Sequence, residues 1–487
     1  MLDLLKETVN KTFTENGAAT YVTTGSDCLD MFSDIGGMRK AEEKKIIDCF
    51  IRAYTENPDY AVKLLFYARD VRGGLGERRV FRVILKWLAD HYPQSVLKNI
   101  EKISEYGRYD DLLVLLGTAC EDDAVIVIKE QLGKDMAALK SNQEVSLLAK
   151  WLPSVNTSNK EAVQAGKKLA YQLGMKEFVY RKTLSALRKQ IKIIENNLRE
   201  KKYDFDYSKQ PSKAMFKYRA AFIRNDSERY CDYLSKVSRG EAKINTGTLM
   251  PYEVVESALK NLHNMSPEEE NALNTTWCNM EDFGGSENMI AVVDTSGSMY
   301  RYTSPSPAGV ALSLGMYFAQ RNKGAFANHF ITFSEKPQLL EIKGNTFVEK
   351  LRYLCTFNEI ADTNIEAVFM LILKTAVKNR VSQSELPSKI IIISDMEFNR
   401  CVQDGSLTNF ENAKKQFAKY GYILPDIVFW NVASCNRQQP VKKNEQGAAL
   451  VSGCTPRLFS MIAMGEMTPM KLMMEVIESE RYKSVRA

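Results

Sequence analysis

Between about residue 39 and residue 260 the apolar positions recur at intervals of three and four, the period of a helix with one buried face. Ile46, Ile47, Phe50, Ile51 and Tyr54 fall on such a face with Glu and Lys between them. Val80, Phe81, Ile84, Leu85 and Leu88 repeat the pattern, as do Leu112, Leu113, Leu115 and Leu116. Pro58 and Pro93 sit where helices can begin, because the first turn makes no use of the missing N–H. Asn57 stands ready to cap the helix that Pro58 opens. Strand-like alternation is absent from this half. The spacing predicts many helices of roughly 10–15 residues joined by short links, paired and stacked in the manner of a HEAT-like solenoid.

From about residue 286 the pattern changes. Strands are expected at 288–294, 327–333, 389–394, 426–432 and 448–452, with helices between them at 308–321, 364–379 and 409–420. The run Lys389-Ile-Ile-Ile-Ile-Ser394 is apolar without alternation, as a strand covered on both faces must be. Strands alternating with helices imply a doubly wound, Rossmann-like α/β domain whose ligands bind beyond the carboxyl ends of the strands. The expected organisation is therefore α + α/β: an N-terminal arm over 1–38, a helical-repeat domain over 39–275, and an α/β domain over 286–487 with a C-terminal helix. The methionine-rich stretch from Thr455 suits either a final helix packed on the sheet or an adaptable interface.

Composition sharpens this division. The chain has 487 residues, 45% hydrophobic and 26% charged, which is ordinary for a globular protein, and its net charge is +6. Residues 151–250 hold 21 Lys/Arg against 10 Asp/Glu, whereas residues 251–300 hold one Lys and nine acidic residues. Such a reversal marks a border between domains. Nine cysteines without a C-x-x-C pair argue against a disulfide framework or zinc cluster. No apolar run approaches the length of a membrane span, and no signal peptide is evident. The expectation is a cytoplasmic protein with no membrane partner.

Two stretches carry candidate chemistry. Asp294-Thr295-Ser296-Gly297-Ser298 follows the expected strand Met289–Val293, placing a carboxylate and two hydroxyls on one turn. Asp395 stands at the end of the isoleucine strand, so one sheet brings Asp294 and Asp395 together. Hard oxygen donors of this kind suit Mg2+ or another divalent cation. The alternative is that Ser296 and Ser298 cap the next helix and Asp294 shapes the turn.

The second stretch, residues 176–233, interleaves Arg181, Arg188, Lys189, Lys192, Arg199, Lys213, Lys217, Arg219 and Arg224 with Tyr180, Tyr203, Phe205, Tyr207, Phe216, Tyr218 and Phe222. Arg78, Arg79 and Arg82 form an earlier cluster. Cations that follow a phosphate backbone and rings that stack on unpaired bases would make an RNA-binding face. The same pattern also describes a solvated helix face above buried rings. Gly73-Gly74-Leu75-Gly76 lacks the G-K-[ST] ending of a phosphate loop. No motif ties His91, His263 or His329 to a nucleophile, and neither serine lies in a G-x-S-x-G elbow. A non-catalytic protein is expected.

The D-x-S-x-S turn resembles the metal-ion-dependent adhesion site (MIDAS) of von Willebrand factor A (vWA) domains. Ala361-Asp362-Thr363-Asn364-Ile365 resembles the second loop of that site, with Ala361-Asp362 where glycines are usual. Ser394-Asp395 resembles its third-loop aspartate. The resemblance implies a ligand set of Asp294, Ser296, Ser298, Thr363 and Asp395, with a coordination position left for a partner's carboxylate. A helical half joined to a vWA domain resembles the TROVE-module proteins, the family of the Ro autoantigen. Their helical repeats close into a ring that binds small structured RNA outside and single-stranded RNA ends in its hole. A nearer resemblance is to an uncharacterised relative family found in plants, large viruses, bacteria and phages. Its marks are Glu15–Ala18, Arg72–Arg78, Tyr106–Asp111, Lys150–Ser154, Pro211–Met215, Ser394–Phe398 and Phe429–Asn431. The leading expectation is thus a Ro-like RNA-binding protein with a Mg2+-dependent site for docking a partner. Its rivals are a metal-dependent protein-interaction scaffold without RNA, as in phage or viral assembly, and a vWA subunit assisting a separate ATPase.

Overall fold

The computed structural model describes residues 1–191, 193–284, 287–300, 303–333, 336–357, 364–400, 407–434, 436–462 and 467–487. A short antiparallel hairpin, β1 (Lys11–Phe13) and β2 (Ala19–Tyr21), lies near the N-terminus. The C-terminal region holds β3 (Met289–Val293), β4 (His329–Thr332), β5 (Leu339–Glu341), β6 (Lys389–Ser394), β7 (Asp426–Asn431) and β8 (Ala448–Ser452). These six form one sheet in the order β5-β4-β3-β6-β7-β8, parallel throughout except for β5. The α + α/β architecture and the five parallel strands match the periodicity. The edge strand β5 was not expected: three residues, of which only Leu340 is buried, are too few to show a period.

Strands β3, β6 and β8 are buried at every position. Their side chains alternate between two apolar layers. Ile290, Val292, Ile390, Ile392, Ile427 and Phe429 point into a layer with Val368, Phe369 and Leu373 of helix Ile365–Asn379 and Phe410 and Phe417 of helix Asn409–Lys419. Ala291, Val293, Ile391, Ile393, Val428 and Trp430 point the other way, into a core continuous with Leu29, Phe50, Leu65 and Phe81 of the helical half. The helical half and the sheet therefore share one core. A smaller core is built separately around Tyr207, Phe222, Tyr230 and Leu234.

Residues 27–260 contain helices and no strand among the described residues. Asn57 caps helix Pro58–Arg69, its side chain accepting from the Tyr60 amide at 3.0 Å. The segment expected as an arm is folded onto the sheet region. Isolated bridges join Gly17 to Asn399, Ala19 to Thr408 and Tyr21 to Gln439. Helix Asp27–Asp34 packs on β8 and on helices Glu43–Glu56 and Pro58–Arg69. Helix Pro469–Ile477 packs on β8, as expected for a final helix, and also on helices Asp27–Asp34 and Pro58–Arg69.

Beyond that helix, the last residues return to the helical half. Arg481 donates from Nε to Asp70 Oδ2 (2.8 Å) and from Nη2 to Oδ1 (3.1 Å), and the Tyr482 hydroxyl donates to Oδ2 (3.1 Å). The Tyr482 ring lies 5.8 Å from that of Tyr106 and 6.0 Å from that of Tyr67. Burial alone would raise the Asp70 carboxyl, but bonds from Arg481 and from the amides of Arg72 and Gly73 hold it below the usual range. A carboxylate lowered beneath its unfolded value of about 3.9 gives stability that is complete above that pH and fades as pH falls through the folded value. Arg481→Ala is expected to cost about 1.5–3 kcal/mol at pH 7. The lower end applies, because the Arg481 side chain is 31% exposed. The gap between variant and parent should narrow below about pH 4; urea unfolding at pH 7 and pH 3 measures both.

Candidate metal site and basic clefts

The register Val293↔Ile393 sets β3 and β6 side by side, and the Asp294 amide donates to the Ile393 carbonyl at 3.1 Å. Asp294 and Asp395 therefore leave the sheet together at its carboxyl edge. Asp294 is fully buried; its Oδ1 accepts from the Ser296 amide (2.8 Å) and its Oδ2 from the Ser394 hydroxyl. The Ser296 and Ser298 hydroxyls are 3.1 Å apart. Asp395 Oδ1 accepts from the Glu397 amide (3.2 Å), and its Oδ2 is buried with no hydrogen-bond partner among the described residues. Burial pushes the Asp395 carboxyl up to about 6, with the Asp294 charge acting in the same direction. Burial raises Asp294 as well.

Four of the five expected ligands are thus gathered on one edge. Thr363, with Asp362, lies outside the described residues. The helix-capping alternative does not hold for the long helix that follows: Ser306, not Ser296 or Ser298, caps helix Pro307–Arg321, accepting from the Gly309 amide at 3.0 Å. Among the described residues, no three His, Cys, Asp or Glu side chains converge on a metal position. The donor set consists of two carboxylates and two hydroxyls. Two buried like charges and an orphan carboxylate oxygen are electrostatically incomplete, and a hard divalent cation would complete them.

The expected RNA contacts divide into groups. Arg78 and Arg79 are exposed and, with Lys86, line a cleft of about 690 Å³ beside Trp87, whose ring stacks on His91 at 4.3 Å. Arg82 lines the same cleft but is held by Asp110 (2.7 Å) and Asp111 (2.6 Å). Arg181, Lys182, Arg188, Lys189 and Arg199 line a second cavity of about 890 Å³ between helices Glu177–Gln190 and Ile194–Arg199. Lys213, Lys217, Arg219 and Arg224 lie apart from both, on helix Ser212–Asn225. Lys213 pairs with Glu253 (3.0 Å), Arg219 pairs with Glu269 (3.1 Å) and stacks on Phe216 (4.4 Å), and Lys217 sits over the Tyr218 ring. Arg224 is exposed, and Lys192 lies outside the described residues.

The stacking expectation fails for Tyr180, Tyr207 and Phe222, which are 0%, 3% and 0% exposed. The period-3.6 positions that carry these rings face the cores. Tyr203, Phe205, Phe216 and Tyr218 are half-buried against the same cores. Sequence reasoning missed Trp87, Lys86 and Lys182 as cleft residues, because each stands outside the runs of alternating cation and ring.

Residues 14–130 and 156–283 match the family described as domain of unknown function DUF2828, and residues 288–485 match domain of unknown function DUF7788. The uncharacterized protein L728 of Acanthamoeba polyphaga mimivirus is 30% identical over 511 residues, spanning 96% of this chain and 87% of the viral protein. The crystal structure of the Deinococcus radiodurans RO (RSR) protein aligns over 90% of this chain and 93% of its own, with 12% identity and a TM-score of 0.37.

Divalent metal binding is testable through stability. With Mg2+ at a hundredfold excess over its Kd, the protein is expected to gain about 2.7 kcal/mol. Asp395→Asn is expected to abolish that gain while raising the melting temperature of the metal-free protein, since it removes one of two facing charges. A melting temperature indifferent to Mg2+ in the parent protein defeats the metal reading.

Proposed function

With the chain belonging to the DUF2828 family, we propose that it is a non-catalytic, cytoplasmic RNA-binding protein of Ro-like build. The helical half holds RNA, and the sheet edge holds Mg2+ or another divalent cation. The supporting observation is the distribution of charge on the helical half. Arg219 and Lys213 are paired with carboxylates, whereas Arg78, Arg79, Lys86, Arg181, Lys182 and Lys189 stay exposed and line two clefts. A phosphate backbone is the ligand that uses several guanidinium and ammonium groups in succession. Trp87, half-buried beside the first cleft, offers an aromatic surface for a base.

The second role, docking of a partner through the metal, is favoured by the orphan Asp395 oxygen. A cation bound there by two carboxylates and serine hydroxyls would keep affinity for one more oxygen donor, and a partner's carboxylate supplies it. No helix among the described residues is long and apolar enough to cross a membrane.

Fluorescence anisotropy of a single-stranded RNA across a salt series tests the RNA role. The logarithm of the affinity should fall linearly with the logarithm of salt, with a slope of about −0.7 per phosphate contacted. Arg78→Glu with Arg79→Glu should weaken binding for all sequences alike and make the slope shallower by about one per cation lost. Absence of binding at low salt removes this function. An Asp294→Ala protein that keeps its RNA affinity but loses a protein contact assigns docking to the sheet edge.

A further inference from the structure

The cavity between helices Glu177–Gln190 and Ile194–Arg199 differs in kind from an exposed basic face. Its floor includes Arg188, whose guanidinium is fixed by three neutral acceptors. Nε donates to the Ala149 carbonyl (2.8 Å), Nη2 to the Leu152 carbonyl (2.8 Å) and Nη1 to the Ser154 hydroxyl (2.6 Å). These bonds satisfy its donors and leave its charge unopposed. No carboxylate acts on Arg188, and burial alone pulls its pKa down. Withdrawing a cation from water without a counter-charge is unfavourable, and a bound anion relieves the cost.

The walls add to this field. Arg181, Lys182, Lys189 and Arg199 contribute four more positive charges and Glu200 one negative charge, a formal balance of +4 with Arg188. Arg199 and Glu200 are 3.6 Å apart, so this pair largely cancels at the rim. Arg181 and Lys182 both stand over the ring of Phe178, at 5.5 and 4.5 Å from its centroid, which keeps the two cations at the cavity mouth. Its volume of about 890 Å³ falls within the range of pockets that enclose a small ligand. An internal phosphodiester brings a single negative charge. A phosphomonoester brings about two, and a short polyphosphate brings more. The charge concentrated here matches the latter kind of group.

We infer that this cavity is a receptor for a clustered phosphate group, a monoester or short polyphosphate, presented by a strand end or by a free phosphorylated molecule. The inference rests on the RNA-binding reading only for the first of these sources. Arg188 sets the field from below, while Arg181, Lys182 and Lys189 contact the phosphate oxygens.

Calorimetric titration of the full chain distinguishes the sources. The ligands are inorganic tripolyphosphate and one short RNA bearing either a 5′-triphosphate or a 5′-hydroxyl. The triphosphate RNA is expected to bind at least tenfold more tightly than the hydroxyl RNA, with tripolyphosphate competing against it. Arg181→Glu and Lys189→Glu, each at an exposed side chain, should separately erase that difference without lowering the melting temperature. Equal binding of both RNAs, with no heat from tripolyphosphate, overturns the inference and leaves the RNA-binding reading standing. Tripolyphosphate binding that Lys189→Glu abolishes, with neither RNA bound, keeps the cavity as a receptor for a free phosphate ligand and removes the RNA role. No binding of any of the three removes both.

Discussion

A parallel sheet must be covered on both faces, and here the second cover comes largely from another part of the chain. The face carrying Ile391, Ile393, Val428 and Trp430 joins a core that extends to Leu29, Phe50 and Leu65, nearly the full length of the sequence away. Without the helical half, that face would present large apolar side chains to water, at about 25 cal/mol per Å². The helical half likewise lacks a closed core without the sheet. The two halves are one cooperative unit, and the contacts that hold them in register are polar. Trp430 donates to the Gly453 carbonyl at 2.7 Å, Asn431 and Ser434 donate to Asp34, and Arg481 and Tyr482 close on Asp70.

This shared core fixes where the candidate sites can lie. The sheet's carboxyl edge stays open because the strands end there, and Asp294 and Asp395 meet at it. The N-terminal segment braces the same edge. The Glu15 amide donates to Glu397 Oε2 (2.9 Å), Asn16 Nδ2 donates to the Glu397 carbonyl (2.6 Å) and the Thr14 hydroxyl donates to the Phe398 carbonyl (2.6 Å). Residues two or three positions beyond Asp395 are thus anchored from the opposite end of the chain. A loop held in this way presents Asp395 in a defined place, which a metal ligand requires.

Much of this was legible in the sequence, for identifiable reasons. The five parallel strands and their helices could be read because buried β and amphipathic α segments have distinct periods. The D-x-S-x-S turn stood out because it follows such a strand. Short motifs showed their presence but not their purpose. Gly107 belongs to Tyr106–Asp111, and a Cβ there would meet Asp111 Oδ2 at 2.3 Å; Asp111 is itself buried beneath Arg69 and Arg82. Lys150–Ser154 proves to be the loop that Arg188 grips. The partner of Glu15–Ala18 is Ser394–Phe398, a pairing across the whole chain that no local pattern encodes. The basic stretch misled for a related reason. Cations and rings alternate along it, but the helix turns Tyr180, Tyr207 and Phe222 inward while leaving Arg181 and Lys189 outside.

What separates candidate ligand contacts from structural charges is whether the protein supplies the counter-charge. Arg69, Arg82 and Arg219 have carboxylates within 2.6–3.1 Å, so their charges are neutralised where they stand. Arg188 has only neutral acceptors, and Asp294 and Asp395 have no cation among their hydrogen-bond partners. One fold therefore carries two imbalances of opposite sign, a negative one at the sheet edge and a positive one in a helical cavity. Each is sheltered from water, where an unopposed charge acts most strongly on whatever enters. A hard cation and a clustered anion are the ligands these two places select. Because the halves share one core, occupation of either site stabilises the same folded unit.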